Sequence, residues 1–166
     1  MSRVPTVQPS PWPDATEIVP RLWVGAAPDN LDSSVSRRQV DYLATRASLG
    51  LVIDCRWGAD DRDLWAHRPE VEYVMLGVED SGVPLPTEFF TTGVELVLEH
   101  RTVAQSSVLV HCESGAHRSP ALALAVLLVD GVDLDLAVRQ LTAARPAVRD
   151  RYFADAVRWH RSYADV

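Results

Sequence analysis

Apolar positions along this chain switch between two periods, and each switch marks an element. Leu51–Cys55 (LVIDC), Val71–Val78 (VEYVMLGV) and Ser107–His111 (SVLVH) are compact runs rich in branched residues, as expected of strands covered on both faces. Glu17–Pro20 and Leu22–Ala26 are shorter and read as a hairpin at the edge of a sheet. Elsewhere the spacing is helical. Val35, Val40, Leu43 and Ala47 line one face of a helix that Ser33 can cap and Gly50 would stop. Pro86 suits a first helical turn, after which Phe90, Val94, Val97 and Leu98 recur at helical intervals. Ser119–Asp130 is apolar on every side, which predicts a helix buried all round. Asp133 can cap a further helix that Pro146 ends, and a last one runs from about Asp150 to Tyr163 with Phe153 and Val157 facing inward. Strands alternating with helices predict an α/β fold: a central, mostly parallel, twisted sheet of about five strands flanked by helices.

Residues 1–15, rich in Pro and Ser and without a period, read as a flexible tail, leaving 16–166 as a single domain. A chain of 166 residues that is 47% hydrophobic can bury one sizeable core. Its net charge of −7 argues against general binding to nucleic acid or anionic membranes, though it leaves room for a small positive pocket. The two cysteines, Cys55 and Cys112, suit a reducing compartment. The N-terminal stretch lacks the apolar core of a signal peptide, and the longest apolar run, Ala121–Val129, is too short to span a bilayer. These features point to a cytoplasmic protein. Every basic residue other than histidine is arginine, a composition that hints at a GC-rich bacterial genome.

The chemistry concentrates in VLVHCESGAHRSP, Val108–Pro120. A buried strand ends in Cys112, five residues follow, and Arg118 opens the all-apolar helix. A loop entering a helix aims several backbone N–H groups at one point, and with the helix dipole they form an anion site. Gly115 lets the loop curl, and the Arg118 guanidinium offers a planar fork to two oxygens of a phosphate. The same field favours the Cys112 thiolate, so this cysteine is a candidate nucleophile. A buried structural cysteine beside a helix-capping arginine is the plainer reading, but it leaves the glycine and serine in this strand–loop–helix context as coincidences.

HCESGAHRS resembles the phosphate-binding signature of the cysteine-based protein tyrosine phosphatases: His-Cys, five residues, Arg, then Ser or Thr. RLWVGAAPD resembles an early strand of the dual-specificity branch, and the elements from about Thr16 to the C-terminus fall in that branch's order, including Arg145-Pro146 after the fourth helix. The resemblance implies a phosphoryl-transfer site. Cys112 would attack phosphorus and Arg118 would hold the phosphate. The loop Glu113, Ser114, Gly115, Ala116 and His117 would bind it through backbone amides, and Ser119 would stabilise the thiolate as it departs. It also implies a leaving-group acid about thirty residues before the cysteine. Asp80, 32 residues before Cys112 between a strand and a helix, fits, with Glu79 as the neighbouring rival. Trp12-Pro13-Asp14 spells the acid-loop signature of the larger tyrosine-specific phosphatases but lies 98 residues from Cys112, so it reads as a Pro-rich turn.

His111 is expected to order the loop from behind, not to bind metal, since no ligand partner stands at metal spacing in the sequence. Ser119 could also cap the helix, a role that can coexist with the first, and His117 could touch substrate or be merely solvated. In some relatives a cysteine equivalent to Cys55 pairs reversibly with the nucleophile; a small core residue is the alternative. Where many members carry an Asn-containing stretch before the last helix, this chain has AVRDRYF, with Arg149 and Arg151 at a helix start. No cofactor or metal is implied. A phosphorylated protein is the expected partner, because lysine-free, Glu113-bearing loops disfavour polyphosphorylated head groups. Small-molecule phosphatases, non-catalytic phosphate-binding modules and sulfurtransferases of the rhodanese type, whose early strand VIDCR resembles, are the competing classes.

Overall fold

The computed structural model describes residues 12–165. A hairpin opens the fold, β1 (Ala15–Val19) and β2 (Leu22–Ala26), turning through Arg21 in the left-handed region at φ 67°. Helix α1 (Ser33–Arg46) leads to β3 (Leu49–Arg56), the short α2 (Arg62–Trp65) to β4 (Glu72–Val78), and α3 (Thr87–Thr102) to β5 (Ser107–Cys112). Three helices close the chain: α4 (Arg118–Val129), α5 (Leu134–Ala144) and α6 (Phe153–Ala164). The five strands stand in the order β1-β2-β5-β3-β4, with β1–β2 antiparallel and the other pairs parallel. This is the expected mostly parallel sheet with an edge hairpin.

Local details differ from the sequence reading where side chains compete for the same role. Asp32, not Ser33, caps α1, its Oδ1 accepting from the backbone N–H groups of Ser34 at 2.8 Å and Val35 at 3.3 Å. A carboxylate outdoes a hydroxyl there because it also suits the positive helix end. Ser48, at φ 52°, makes the turn after α1, so Gly50 does not stop the helix. Gly50 lies inside β3, where a side chain would collide with Ser106. Pro86 precedes α3 as its N-cap, α6 begins at Phe153 instead of Asp150, and α2 was not anticipated. Val157 is only partly buried; Phe153, Ala156 and Trp159 supply the buried face of α6. Asp133 caps α5 as expected, accepting from Asp135 and Leu136 N–H.

The sheet separates two hydrophobic clusters. Leu51, Ile53 and Cys55 of β3 and Val108, Val110 and Cys112 of β5 face α3, α4, α5 and α6. Val52 and Leu109 face the other way, with Val40 and Leu43 of α1 and Trp65 of α2. Residues Arg118 to Leu128 of α4 are all buried, because sheet, α3, α5 and α6 enclose that helix. Gly93 of α3 permits the close crossing: a Cβ there would lie 2.7 Å from both methyls of Leu122. The parallel strands end together at their carboxyl edge, which brings Asp54 beside His111 and sets Cys55 next to Cys112 on the α4 side. Among the described residues no helix is long and apolar enough to cross a membrane.

Leu124 at the centre of α4 has no solvent exposure. Leu124→Ala should lower the unfolding free energy by about 2–5 kcal/mol in a urea melt, the range for a large-to-small change in a core that cannot collapse around the cavity.

Candidate active site

Cys112 closes β5 and Arg118 opens α4, and the loop between them is held from outside. Glu113 O accepts from Ala27 N–H at 3.1 Å and Ala116 O from Arg149 N–H at 2.9 Å. Ser114 O and Gly115 O accept from the Nη2 and Nε of Arg145 at 3.0 and 2.9 Å. With four consecutive carbonyls turned outward, the amides turn to the centre, and the N–H groups of His117 and Ser119 bond the Cys112 thiolate. Gly115 adopts φ +67°, and a Cβ there would lie 2.5 Å from Arg145 Nη2 and 2.6 Å from the Gly25 carbonyl carbon and oxygen. Arg145 is 3% exposed, and its charge is met by Asp14, whose carboxylate accepts from Nη1 at 2.7 Å and Nη2 at 3.0 Å. Asp14 therefore sits behind the loop as an anchor and not at its mouth. Within residues 1–15, 1–11 fall outside the described residues, while Trp12 packs edge-on against Tyr42 and Ala15 opens β1.

Burial alone would raise the Cys112 pKa. Hydrogen bonds from the Ser119 hydroxyl and backbone, the His117 N–H and the Arg118 charge outweigh it, so the thiol lies below its ordinary value. Ser119 Oγ is 3.2 Å from Cys112 Sγ. The hydroxyl faces the sulfur from inside the first turn of α4 and does not cap the helix; His117 occupies the cap position. Arg118 is fixed by one bond, Nη1 to the carbonyl of Val78 at 2.9 Å, and its buried Nε has no protein partner. The guanidinium is thus aimed by the end of β4 while donors remain for an anion over the loop.

Asp80 comes to this loop from the segment after β4. Its Oδ2 lies 2.9 Å from His117 Nδ1, and its Oδ1 accepts from the Tyr152 hydroxyl at 2.8 Å. Tyr152 is itself fixed by accepting the Gly82 N–H at 3.0 Å. Arg151 Nη1 stands 3.6 Å from Asp80 Oδ1, so of the two arginines of AVRDRYF this one reaches the acid's carboxylate. Arg149 turns its guanidinium onto the Pro146 and Val148 carbonyls. Burial pushes the Asp80 carboxyl up, but the bonds from His117 and Tyr152 and the charges of His117 and Arg118 hold it below its usual value. Glu79, the rival, lines a cleft of about 260 Å³ with Trp57, Ser81, Val83 and Pro84 instead. Arg145 and Tyr152 are the residues that sequence reasoning missed: an arginine before a proline and a tyrosine at a helix start carry no local signal of what they touch.

Behind the loop, Asp54 accepts from Arg56 Nε at 3.0 Å and Nη2 at 2.7 Å and from the Tyr73 hydroxyl at 2.6 Å. Arg56 Nη2 also donates to Asp61 at 2.6 Å, and Nη1 stands 3.7 Å from Glu113. His111 Nδ1 lies 3.3 Å from the Cys112 carbonyl oxygen, and its ring is fully buried. Burial lowers its pKa more than the Asp54 charge raises it, so the ring stays neutral behind Cys112. The expectation that His111 has no possible ligand partners fails: the fold brings donor atoms of Asp54, Asp61 and His111 within 4.8 Å of one another. Arg56 bonds both carboxylates, however, so a cation there would have to displace a buried guanidinium. Cys55 is a free, buried thiol whose pKa burial drives well up, with the neighbouring Cys112 adding to the rise.

No protein-family profile matches the chain, and no curated protein does. Solved structures share the fold at low identity. PTPMT1 in complex with PI(5)P is 18% identical at a TM-score of 0.76, covering 91% of this chain and 97% of that one. Tk-PTP in its active form is 22% identical at 0.72, covering 93% and 98%. Human DUSP28 is 19% identical at 0.72, covering 90% and 98%. The chain shares its architecture with these three structures over nine-tenths or more of its length.

The two thiols should separate in alkylation. Both thiols are buried, but a depressed pKa favours the Cys112 thiolate below the ordinary thiol range, whereas burial keeps Cys55 protonated. Iodoacetamide at pH 6.5 should label Cys112 and spare Cys55, as read by peptide mass spectrometry. Arg145→Ala frees two loop carbonyls and should move the Cys112 midpoint upward; an unchanged midpoint would show that the outward tethering does not orient the amides.

Proposed function

We propose that this chain is a cysteine-dependent phosphatase that hydrolyses phosphomonoesters through a cysteinyl-phosphate. The observation that carries this reading is one converging set of donors. The amides of the loop, the Arg118 guanidinium and the Ser119 hydroxyl all meet at Cys112 Sγ or just above it. That arrangement suits three equatorial phosphoryl oxygens with a sulfur in line beneath them. Cys112 attacks phosphorus, the S–P bond forms, and the ester P–O bond breaks with its oxygen protonated from the Asp80 side. Water then attacks phosphorus, yields its proton to Asp80, and the S–P bond breaks while Ser119 donates to the departing thiolate. The chain's own residues supply every charge and proton that this sequence of steps uses. Sulfur transfer needs neither Asp80 over the loop nor Arg118 beneath it, and a binding module needs no ionised Cys112.

Phosphotyrosine, phosphoserine and phosphothreonine in proteins are the favoured substrates. Glu113, with a side chain 64% exposed on the loop, and the acids Glu79 and Asp80 after β4 repel a head group bearing several phosphates. PTPMT1 was solved with PI(5)P, so a phosphoinositide is the second reading, and it has the same chemistry at the phosphorus. We extend the proposal to Cys55 as a resolving thiol. Oxidation of Cys112 by peroxide to the sulfenate, then condensation with Cys55 and loss of water, would give a disulfide across adjacent strands that dithiothreitol reduces.

Phosphate release from p-nitrophenyl phosphate, a phosphotyrosine peptide and a phosphoserine peptide is the test. Cys112→Ser should abolish turnover, and Asp80→Asn should lower kcat by about 10²–10⁴-fold. Loss in Cys112→Ser with full activity in Asp80→Asn would retain the phosphatase and transfer the acid's role to Glu79. Faster release from a phosphoinositide than from either peptide would reverse the order of substrates. After peroxide, dithiothreitol should restore wild type but not Cys55→Ser; equal recovery of both would remove the resolving role.

A further inference from the structure

The acid of this site poses a chemical difficulty. Both Asp80 oxygens already accept hydrogen bonds, from Tyr152 on Oδ1 and His117 on Oδ2, and Arg151 adds a positive charge 3.6 Å from Oδ1. Such surroundings favour the anion, so an isolated carboxyl here would have lost its proton well before neutrality. Protonating an alkoxide or phenoxide requires a proton that is present at the working pH.

His117 resolves this. It belongs to the phosphate loop, one residue before Arg118, and its Nδ1 meets Asp80 Oδ2 at 2.9 Å across 37 residues of sequence. Its backbone is held by the loop, since its N–H bonds Cys112 Sγ and its carbonyl accepts from Ala121 N–H at 3.2 Å. The two side chains are 26% and 28% exposed, so solvent reaches the pair while the backbone around it is fixed. An imidazole is the side chain that exchanges protons around neutral pH.

We propose that His117 and Asp80 act as one acid, a dyad sharing a single proton between Nδ1 and Oδ2, with His117 holding that proton for Asp80. The idea rests on the phosphatase reading and deepens it. In the first step the dyad's proton passes to the ester oxygen as the P–O bond breaks and the S–P bond forms, leaving neutral imidazole and carboxylate. In the second step the attacking water returns one proton to the dyad as the S–P bond breaks. His117 acts through Asp80 and does not touch substrate. Tyr152 is a positioning residue that fixes the other oxygen without exchanging a proton.

The groups facing the dyad are consistent with this. Arg118 and Arg151 are cations on the Asp80 side, Tyr152 is neutral, and Cys112 is a thiol whose lowered pKa favours its anion. Glu79 is next to Asp80 in the chain, and the exposed Glu113 carboxylate stands 3.7 Å from Arg56 Nη1 behind the loop. The proton therefore belongs to the pair, and its apparent pKa is a property of both groups.

Two measurements test the dyad. In pH profiles of kcat/KM, the alkaline limb of wild type should report loss of the dyad's shared proton. His117→Gln keeps an N–H donor for Asp80 but cannot titrate. It should move that limb to lower pH and cut turnover of a phosphoserine peptide at pH 7 at least about tenfold. The loss with p-nitrophenyl phosphate, whose leaving group needs less protonation, should be smaller. Tyr152→Phe should lower the rate without moving the limb. Independently of turnover, the imidazole nitrogens of His117 followed by ¹⁵N NMR should titrate at a lower pH in Asp80→Asn, where the anion is gone. An alkaline limb unmoved by His117→Gln, or a His117 midpoint equal in wild type and Asp80→Asn, overturns the dyad. No phosphate release from wild type overturns the phosphatase reading and this use of the proton together; the NMR titration would then still report whether the pair exists.

Discussion

Four carbonyls turned the wrong way for a helix hold this site open. A loop entering α4 could let the oxygens of Glu113, Ser114, Gly115 and Ala116 face any direction, and oxygens facing inward would repel both a thiolate and a phosphate. Each is instead bonded to a donor outside the loop: two backbone N–H groups and two arms of Arg145. The inward amides that help lower the Cys112 pKa and the need for glycine at position 115 follow from that outward tethering. Arg145 can sit buried there because Asp14 neutralises it through two bonds, so a residue ahead of the first strand supports the Cys112 loop from behind.

A second constraint comes from parallel strands. Because β2, β5, β3 and β4 run in one direction, their carboxyl ends share an edge, and the elements that follow each strand crowd over it. β5 delivers Cys112, β4 delivers both the carbonyl that aims Arg118 and the loop bearing Asp80, and β3 delivers Cys55 and Asp54. Strand alternation then sorts these residues by face. Cys112 and Cys55 point to the α4 side, while His111 and Asp54 point to the α1 and α2 side, where Arg56 pairs the buried charges. Cys112 therefore has a neutral ring and a compensated ion network behind it, and the groups that lower its pKa come from the loop and α4.

The comparisons and the site speak to different levels. Likeness to PTPMT1, Tk-PTP and DUSP28 at 18–22% identity concerns the path of the backbone. The site itself comes from the side chains this chain places on that path, and two of them, His117 and Tyr152, give Asp80 surroundings that an aspartate on an open loop would lack.

Much of this protein was legible in one dimension. The apolar runs of β3, β4 and β5, the all-apolar α4, and the spacing of Cys112, Gly115, Arg118 and Ser119 depend on neighbours within a few residues, which is the range over which backbone periodicity and loop chemistry act. Asp80 could be placed because it stands between a strand and a helix whose patterns are themselves local. Caps were less legible, since Asp32 and Ser33 or Ser48 and Gly50 compete for one position and small differences in charge and packing decide between them. What only the tertiary structure decided was every partnership across long sequence separation: Arg145 with the loop and Asp14, Tyr152 and His117 with the two oxygens of Asp80, Arg118 with Val78, and Asp54 and Asp61 with Arg56 beside His111. Those contacts arise from strand order and helix packing. A side chain's partner across the sheet leaves no period and no local composition by which the sequence alone could announce it.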